Sequence, residues 1–193
     1  MRKAVQQRTL DTRARLTAVA HELVTDKGFE ALRIEEVVAG AGVAKGTFFA
    51  HFKDKDELMD LLIGERINAL LDQMAARPAP RDVEQLAKRL VPLVDLMASE
   101  RYVFDVILRR SGAAAMEEIG PIATTFGRLG EILGGWIDQG TFRKDVPIDI
   151  LVEGVEAFLV QTLALNFCAL HSDKRLKDRL LPYLRAWLAP VGG

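Results

Sequence analysis

The sequence predicts an all-α protein in two parts, a small N-terminal domain of short helices followed by a larger domain of long ones. Three observations carry this. Apolar residues recur at three- and four-residue spacing along most of the 193 residues, which is the period of a helix with one buried face. Runs of β-branched residues in strict alternation, the mark of a half-buried strand, are missing. The N-terminal third is also cut by tight-turn signals such as Lys27-Gly28 and Gly42-Val43, whereas the remainder has fewer interruptions. The change of style falls inside the fourth helix and gives domains at 9–69 and 70–193.

The first helix is expected from Asp11 to Lys27. Asp11 has the side chain of an N-cap, and Leu16, Val19, Ala20, Leu23 and Val24 share one face. Gly28 supplies the stop, with Phe29 placed for the apolar contact that follows such a glycine. Ile34, Val37, Val38 and Ala41 give a second helix over 34–41; Gly42-Val43 turns the chain, and a third helix covers 44–51. Asp54 with Glu57 makes a capping box for a fourth helix carrying Leu58, Leu61 and Leu62, which stops by Ala76 ahead of Pro78 and Pro80. Longer helices follow at 82–98, with a bend at Pro92, at 99–110, at 113–139 with an interruption near Gly120-Pro121, at 148–170 and at 173–188. Gly140 to Asp149 reads as a loop.

Composition narrows the function. Hydrophobic residues make up 49% and charged residues 27%, a globular balance. The formal net charge is -1, so any nucleic-acid site must come from local charge. Residues 1–15 supply some: Arg2, Lys3, Arg8, Arg13 and Arg15 against Asp11. That segment reads equally as an arm reaching DNA or as a solvated tail. The basic start lacks the apolar core of a signal peptide. A single cysteine, Cys168, excludes a disulfide within the chain and points to a reducing cytoplasm; it reads as a buried small apolar residue. The apolar run Ile150–Leu170 carries Glu153, Glu156, Gln161 and Asn166, too polar for a membrane span, and reads as a helix buried in protein.

The stretch Gly40 to Leu58 admits two readings. A phosphate-cradling loop needs glycine before lysine and a strand before the glycines; here Lys45 precedes Gly46, and the preceding residues have helical spacing. A helix-turn-helix needs a small residue at the turn, an apolar anchor after it, and small or polar residues facing outward at the start of the second helix. Gly42, Val43 and Lys45-Gly46-Thr47 meet those needs, with Phe48 and Phe52 four apart on the core side and Lys53 and Lys55 placed for phosphates.

On these residues, together with Gly28-Phe29, Ala41, His51, Asp56 and Leu58, residues 9–62 resemble the DNA-binding domain of TetR-family transcriptional regulators. Gly140 to Val146 (GTFRKDV) is similar to a loop common before that family's penultimate helix. The resemblance implies a three-helix helix-turn-helix domain followed by a larger helical ligand-binding and dimerisation domain. It implies a ligand-responsive regulator, most simply a homodimeric repressor released from a near-palindromic double-stranded operator by a small-molecule effector. It implies no catalysis, cofactor or membrane. The DNA-contacting positions it implies are Arg33, Ala44, Lys45, Gly46, Thr47, Phe49, Ala50, His51, Lys53 and Lys55. Four of them depart from the usual pattern, one being Ala50, where a larger residue is common. Arg33 and Ala44 stand where hydroxyl residues are common, and Phe49 stands for a tyrosine. Ala44 removes a side-chain cap and Phe49 a hydrogen bond to phosphate, which leaves a second reading, a helical ligand-binding or interaction module with weakened DNA binding.

His21, His51 and His171 are too scattered to suggest a metal site, and no nucleophile motif occurs. Large apolar residues on the middle helices read first as core. The resemblance suggests that Met97, Phe104, Ile107, Phe126, Trp136 and Phe158 line an effector cavity, with Tyr102 and Gln161 to orient a ligand. Two apolar faces near the C-terminus, Val155, Leu159 and Leu163 on one helix and Leu180, Leu184 and Trp187 on the next, suggest a four-helix dimer interface.

Overall fold

The computed structural model describes residues 2–111, 119–168, 170 and 174–190. Among them every regular element is a helix: α1 (Arg2–Lys27), α2 (Ile34–Gly40), α3 (Lys45–Phe49), α4 (Lys55–Ala75), α5 (Val83–Met97), α6 (Arg101–Arg110), α7 (Pro121–Gln139), α8 (Ile148–Asn166) and α9 (Leu176–Leu188). The chain divides into two compact units, Met1–Ile63 and Gly64–Gly193, with the division inside α4.

In the first unit α1 begins at Arg2, nine residues before the expected start. Asp11 is therefore no cap; it lies inside the helix and accepts from Gln7 Nε2 at 2.8 Å. The basic segment is helical where it is described, and residues 2–27 contain no glycine or proline to break the helix. Leu16, Ala20 and Val24 bury against the core that Val37, Phe48 and Phe52 also enter. Gly28, at φ 87°, ends α1, and Phe29 behind it is buried. The start of α4 is capped as expected on one side: Asp54 Oδ1 accepts from the Glu57 amide at 2.8 Å. Glu57 Oε2 accepts from the Lys53 amide at 2.7 Å, one residue before the cap rather than on it.

In the second unit α8 and α9 pack on each other, α9 on α5 and α7 on α8. Leu86, Leu90, Leu133, Leu151, Leu184 and Leu188 are buried there. Asp82 caps α5 by accepting from the Gln85 amide at 2.8 Å, and the helix runs unbroken through Pro92. Gly64 permits a close approach within this unit. A Cβ there would lie 2.8 Å from Pro121 Cβ and 3.1 Å from its carbonyl carbon, so α4 and the first turn of α7 meet without a side chain between them. The Gly140–Val146 loop is a clasp. Arg143 pairs with Asp145 through two bonds of 2.9 and 2.6 Å and its amide donates to the Leu188 carbonyl at 3.0 Å. Lys144 Nζ donates to the Ile137 and Asp138 carbonyls at the end of α7, where a cation also meets the negative end of the helix dipole. The segment expected as helix over 113–120 falls largely outside the described residues, as does His171. The helix expected to run to 170 stops at Asn166, and the last begins at Leu176. Cys168, just past α8, is half-buried rather than buried.

Candidate functional site

The turn between α2 and α3 is built by three backbone bonds. The Ala41 amide donates to Val37 O at 3.0 Å, Gly42 to Ala39 O at 3.2 Å, and Val43 to Val38 O at 3.0 Å. The geometry requires φ +64° at Gly42, a left-handed conformation that costs an L-residue about 1–2 kcal/mol. Ala44 then opens α3 in an extended conformation (φ -73°, ψ 153°) with no side-chain cap bond, as its methyl dictates. Phe48 and Phe52, with ring centroids 5.3 Å apart, anchor the short helix in the core. On the other side Ala44, Lys45, Gly46, Phe49, Ala50 and Lys53 are exposed, and Thr47 and His51 are half-buried. The expected contact residues of this segment therefore lie together around one small helix.

Its cations are not idle. Lys45 Nζ binds Glu35 Oε1 at 2.6 Å, tying α3 to the start of α2, and this bond holds the Glu35 carboxyl below its ordinary range. Arg33 and Lys55 both donate to the Glu30 carbonyl, at 3.4 and 3.2 Å. Arg13 was not among the expected contacts, yet it braces the site. Its guanidinium donates to the His51 carbonyl at the end of α3, lies 4.2 Å from the centroid of the Phe52 ring, and places Nη2 3.8 Å from Glu57 Oε1. One side chain of α1 thus joins the end of the candidate reading helix to the start of α4.

The second unit contains an open cavity of about 270 Å³. Met97, Phe104, Ile107 and Phe126 line it, as expected. Tyr102, Trp136, Phe158 and Gln161 do not, and packing explains three of these. Trp136 is buried and has the Arg89 guanidinium 5.3 Å from its ring. Phe158 stacks on Tyr183 at 5.0 Å and meets the edge of Trp187 at 6.1 Å. Gln161 faces outward from α8. Leu108, Ser111, Glu156, Ala157, Val160 and Leu163 complete the lining; of these Glu156 had left a trace in the sequence, as an acid within an apolar run, and Leu163 was expected at a dimer interface instead.

The dimer assignment needs correction. Val155, Leu159, Leu163, Leu180 and Leu184 are at most 2% exposed within the single protomer, so they have no surface left for a partner. Trp187 is half-buried and donates from Nε1 to the Leu151 carbonyl at 3.0 Å. The apolar faces of α8 and α9 are wide because each packs on its neighbours in the same chain. No group of three or more His, Cys, Asp or Glu among the described residues is placed to hold a metal ion, and no described helix is long and apolar enough to cross a membrane.

A tight left-handed glycine turn between two short helices, with a small and basic outward face on the second, defines a helix-turn-helix DNA-binding domain. Residues 16–62 match the family described as bacterial regulatory proteins, tetR family, about a quarter of the chain. The HTH-type transcriptional regulator SAB2452 of Staphylococcus aureus is 30% identical over 64 residues, 33% of this chain and 35% of that protein. The chain therefore matches about a third of that relative's length. The HTH-type transcriptional repressor KstR2 of Mycobacterium tuberculosis is 26% identical over 152 residues, covering 72% of this chain and 73% of the other. Among solved structures, Thermus thermophilus FadR, a TetR-family repressor in complex with lauroyl-CoA, superposes with a TM-score of 0.64 over 91% of this chain and 92% of its own. At 20% identity that likeness shows a shared fold.

Proposed function

We propose that the protein is a ligand-responsive transcriptional regulator, a homodimeric repressor that a small molecule releases from its operator. The observation that carries this is the outward face of α3. In this reading Lys45, Gly46, Thr47 and Ala50 would meet base edges and phosphates, and Arg33, Phe49, His51, Lys53 and Lys55 would flank them toward phosphates. A two-fold dimer would set two such helices roughly 34–36 Å apart, so the operator would be near-palindromic. With the residues named earlier buried in the protomer, the dimer surface in this reading would lie on the outward side of α8, where Ile150, Gln161 and Ala164 are exposed.

The reading domain, 9–69, and the effector domain, 70–193, share α4. A ligand against Phe126 of α7 acts on the helix whose first turn touches α4 at Gly64. It need only prefer one arrangement by about 1–3 kcal/mol to release DNA. The setting is the cytoplasm. Titrating the purified protein against the DNA upstream of its own gene tests the proposal. The expected result is a specific complex whose affinity falls steeply with salt; absence of such a complex at low salt would overturn it. A second reading, a ligand-binding module with weakened DNA contact, draws on the uncapped α3 and on the Glu35–Lys45 bond. It predicts ligand binding alongside feeble, salt-insensitive DNA binding.

A further inference from the structure

Glu156 is a half-buried carboxylate with no hydrogen bond or ion pair to any described residue. It lies against α7 at Gly130, where a Cβ would come 3.6 Å from its Oε1. Glu153, one turn earlier on the same helix, is exposed. Burial, and then the nearby charge of Glu153, push the Glu156 carboxyl above its ordinary range. Groups in that state are stabilised by a counter-charge or by a donor, and the described surroundings supply neither.

The rest of the cavity has one chemical character. Glu156 is the single charged side chain among the described residues that line it; the others are apolar apart from Ser111. Two aromatic residues, Phe104 and Phe126, are part of the wall, and Phe104 is held by stacking on Phe167 at 5.4 Å. Leu108 and Val160, both partly exposed, are further apolar lining. An apolar enclosure with aromatic rings and one unpaired carboxylate attracts a positive charge on an apolar body, through Coulomb attraction at reduced dielectric and through the ring faces. The same enclosure repels a carboxylate or phosphate, since no cation among the described lining residues would receive it. A volume of about 270 Å³ suits a small ligand.

We propose that this cavity takes an organic cation, a compact apolar or aromatic body carrying a quaternary or protonated amine that meets the Glu156 carboxylate. The proposal rests on the effector-domain reading above. It places this chain's ligand class apart from the acyl-CoA held by the FadR relative.

Calorimetric titration of the DNA-free protein tests it with three probes of similar shape: phenethyltrimethylammonium, 4-phenylbutyrate and 4-phenylbutanol. The cation should bind, the carboxylate should give no measurable heat, and the alcohol should bind at least tenfold more weakly than the cation. Glu156→Gln should weaken the cation at least tenfold and leave the alcohol unchanged. The proposal is overturned if the carboxylate or the alcohol matches the cation on the unaltered protein, if none of the three binds, or if Glu156→Gln leaves the cation's affinity intact. The comparison on the unaltered protein does not depend on how the variant folds. Operator binding, measured on the same preparations, separates the two claims. Loss of the cation result with DNA binding intact overturns the ligand class alone; loss of DNA binding with the cation result intact overturns the regulator.

Discussion

The two units treat charge in opposite ways. Around α2 and α3 several cations already have partners: Lys45 has Glu35, Lys27 has Glu36, and Arg13 has the His51 carbonyl and Glu57. The Lys45–Glu35 pair is solvent-exposed, so it is weak and easily exchanged for a phosphate, whereas the Arg13 bond to the His51 carbonyl is part-buried and holds the site together. In the second unit one anion, Glu156, is half-buried and without a partner among the described residues. An exposed pair can be given up cheaply when DNA arrives, whereas a buried unpaired charge keeps a standing demand for a counter-charge. A surface that must bind and release a polyanion and a cavity that must select a small molecule call for these different arrangements.

The comparison breaks most sharply at Arg13. Arg13→Ala removes a charged hydrogen bond to the His51 carbonyl, worth about 1.5–3 kcal/mol, and the stacking on Phe52. Urea unfolding should show a loss of that order, and operator affinity should drop by roughly tenfold or more as the end of α3 loosens. Gly42→Ala comes next. A Cβ at Gly42 would touch nothing within 4 Å, so the penalty is the left-handed backbone alone, about 1–2 kcal/mol. A melting temperature unchanged from that of the parent would contradict the turn geometry.

Glu35→Gln sharpens the comparison from the other side. It frees Lys45 from its ion pair and should tighten operator binding by a factor of about two to five, an effect on the scale of an exposed pair. The logarithmic salt slope should steepen by up to about one unit if Lys45 then meets a phosphate. An unchanged slope would mean that Lys45 does not reach the backbone of DNA. The smallest effect is expected at Glu156. Its carboxyl binds a proton more tightly in the folded chain than in the unfolded one. Its contribution to stability is therefore complete below the ordinary glutamate range and is lost as pH rises through the raised folded value. Glu156→Gln should accordingly melt higher than the parent at pH 7, with the gap closing as the medium is acidified below the ordinary glutamate range.

The reading head was legible in the sequence because its geometry depends on residues with few substitutes. Gly42 marks a backbone conformation, Phe48 and Phe52 mark a face, and the order Lys45-Gly46 excludes the rival loop. Arg13 was not legible, since its partner His51 is 38 residues away and nothing local to either announces the contact. The long start of α1 was missed because Asp11 has a cap's side chain but no break before it. In the second unit the limits are set by rotation of whole helices. Phe104 and Phe126 line a void while Phe158 and Trp136 are packed elsewhere, although all four are large aromatic residues on the long helices. An apolar face on α8 also reads the same whether it meets α9 or a second copy, and here it meets α9. Glu156 was visible as an acid in an apolar run, but the absence of a partner among the described residues is a fact of three dimensions.

Gly64 sets a mechanical clearance. With a hydrogen in place of a methyl, the first turn of α7 sits flush on α4, and no slack remains to absorb a displacement of one helix before the other feels it. Gly130 and Phe126 beside the cavity belong to the same α7. Residue 64 therefore acts as the play adjustment of a linkage. A shim of one carbon, Gly64→Ala, would force α4 and α7 apart and fix their spacing whatever the cavity holds.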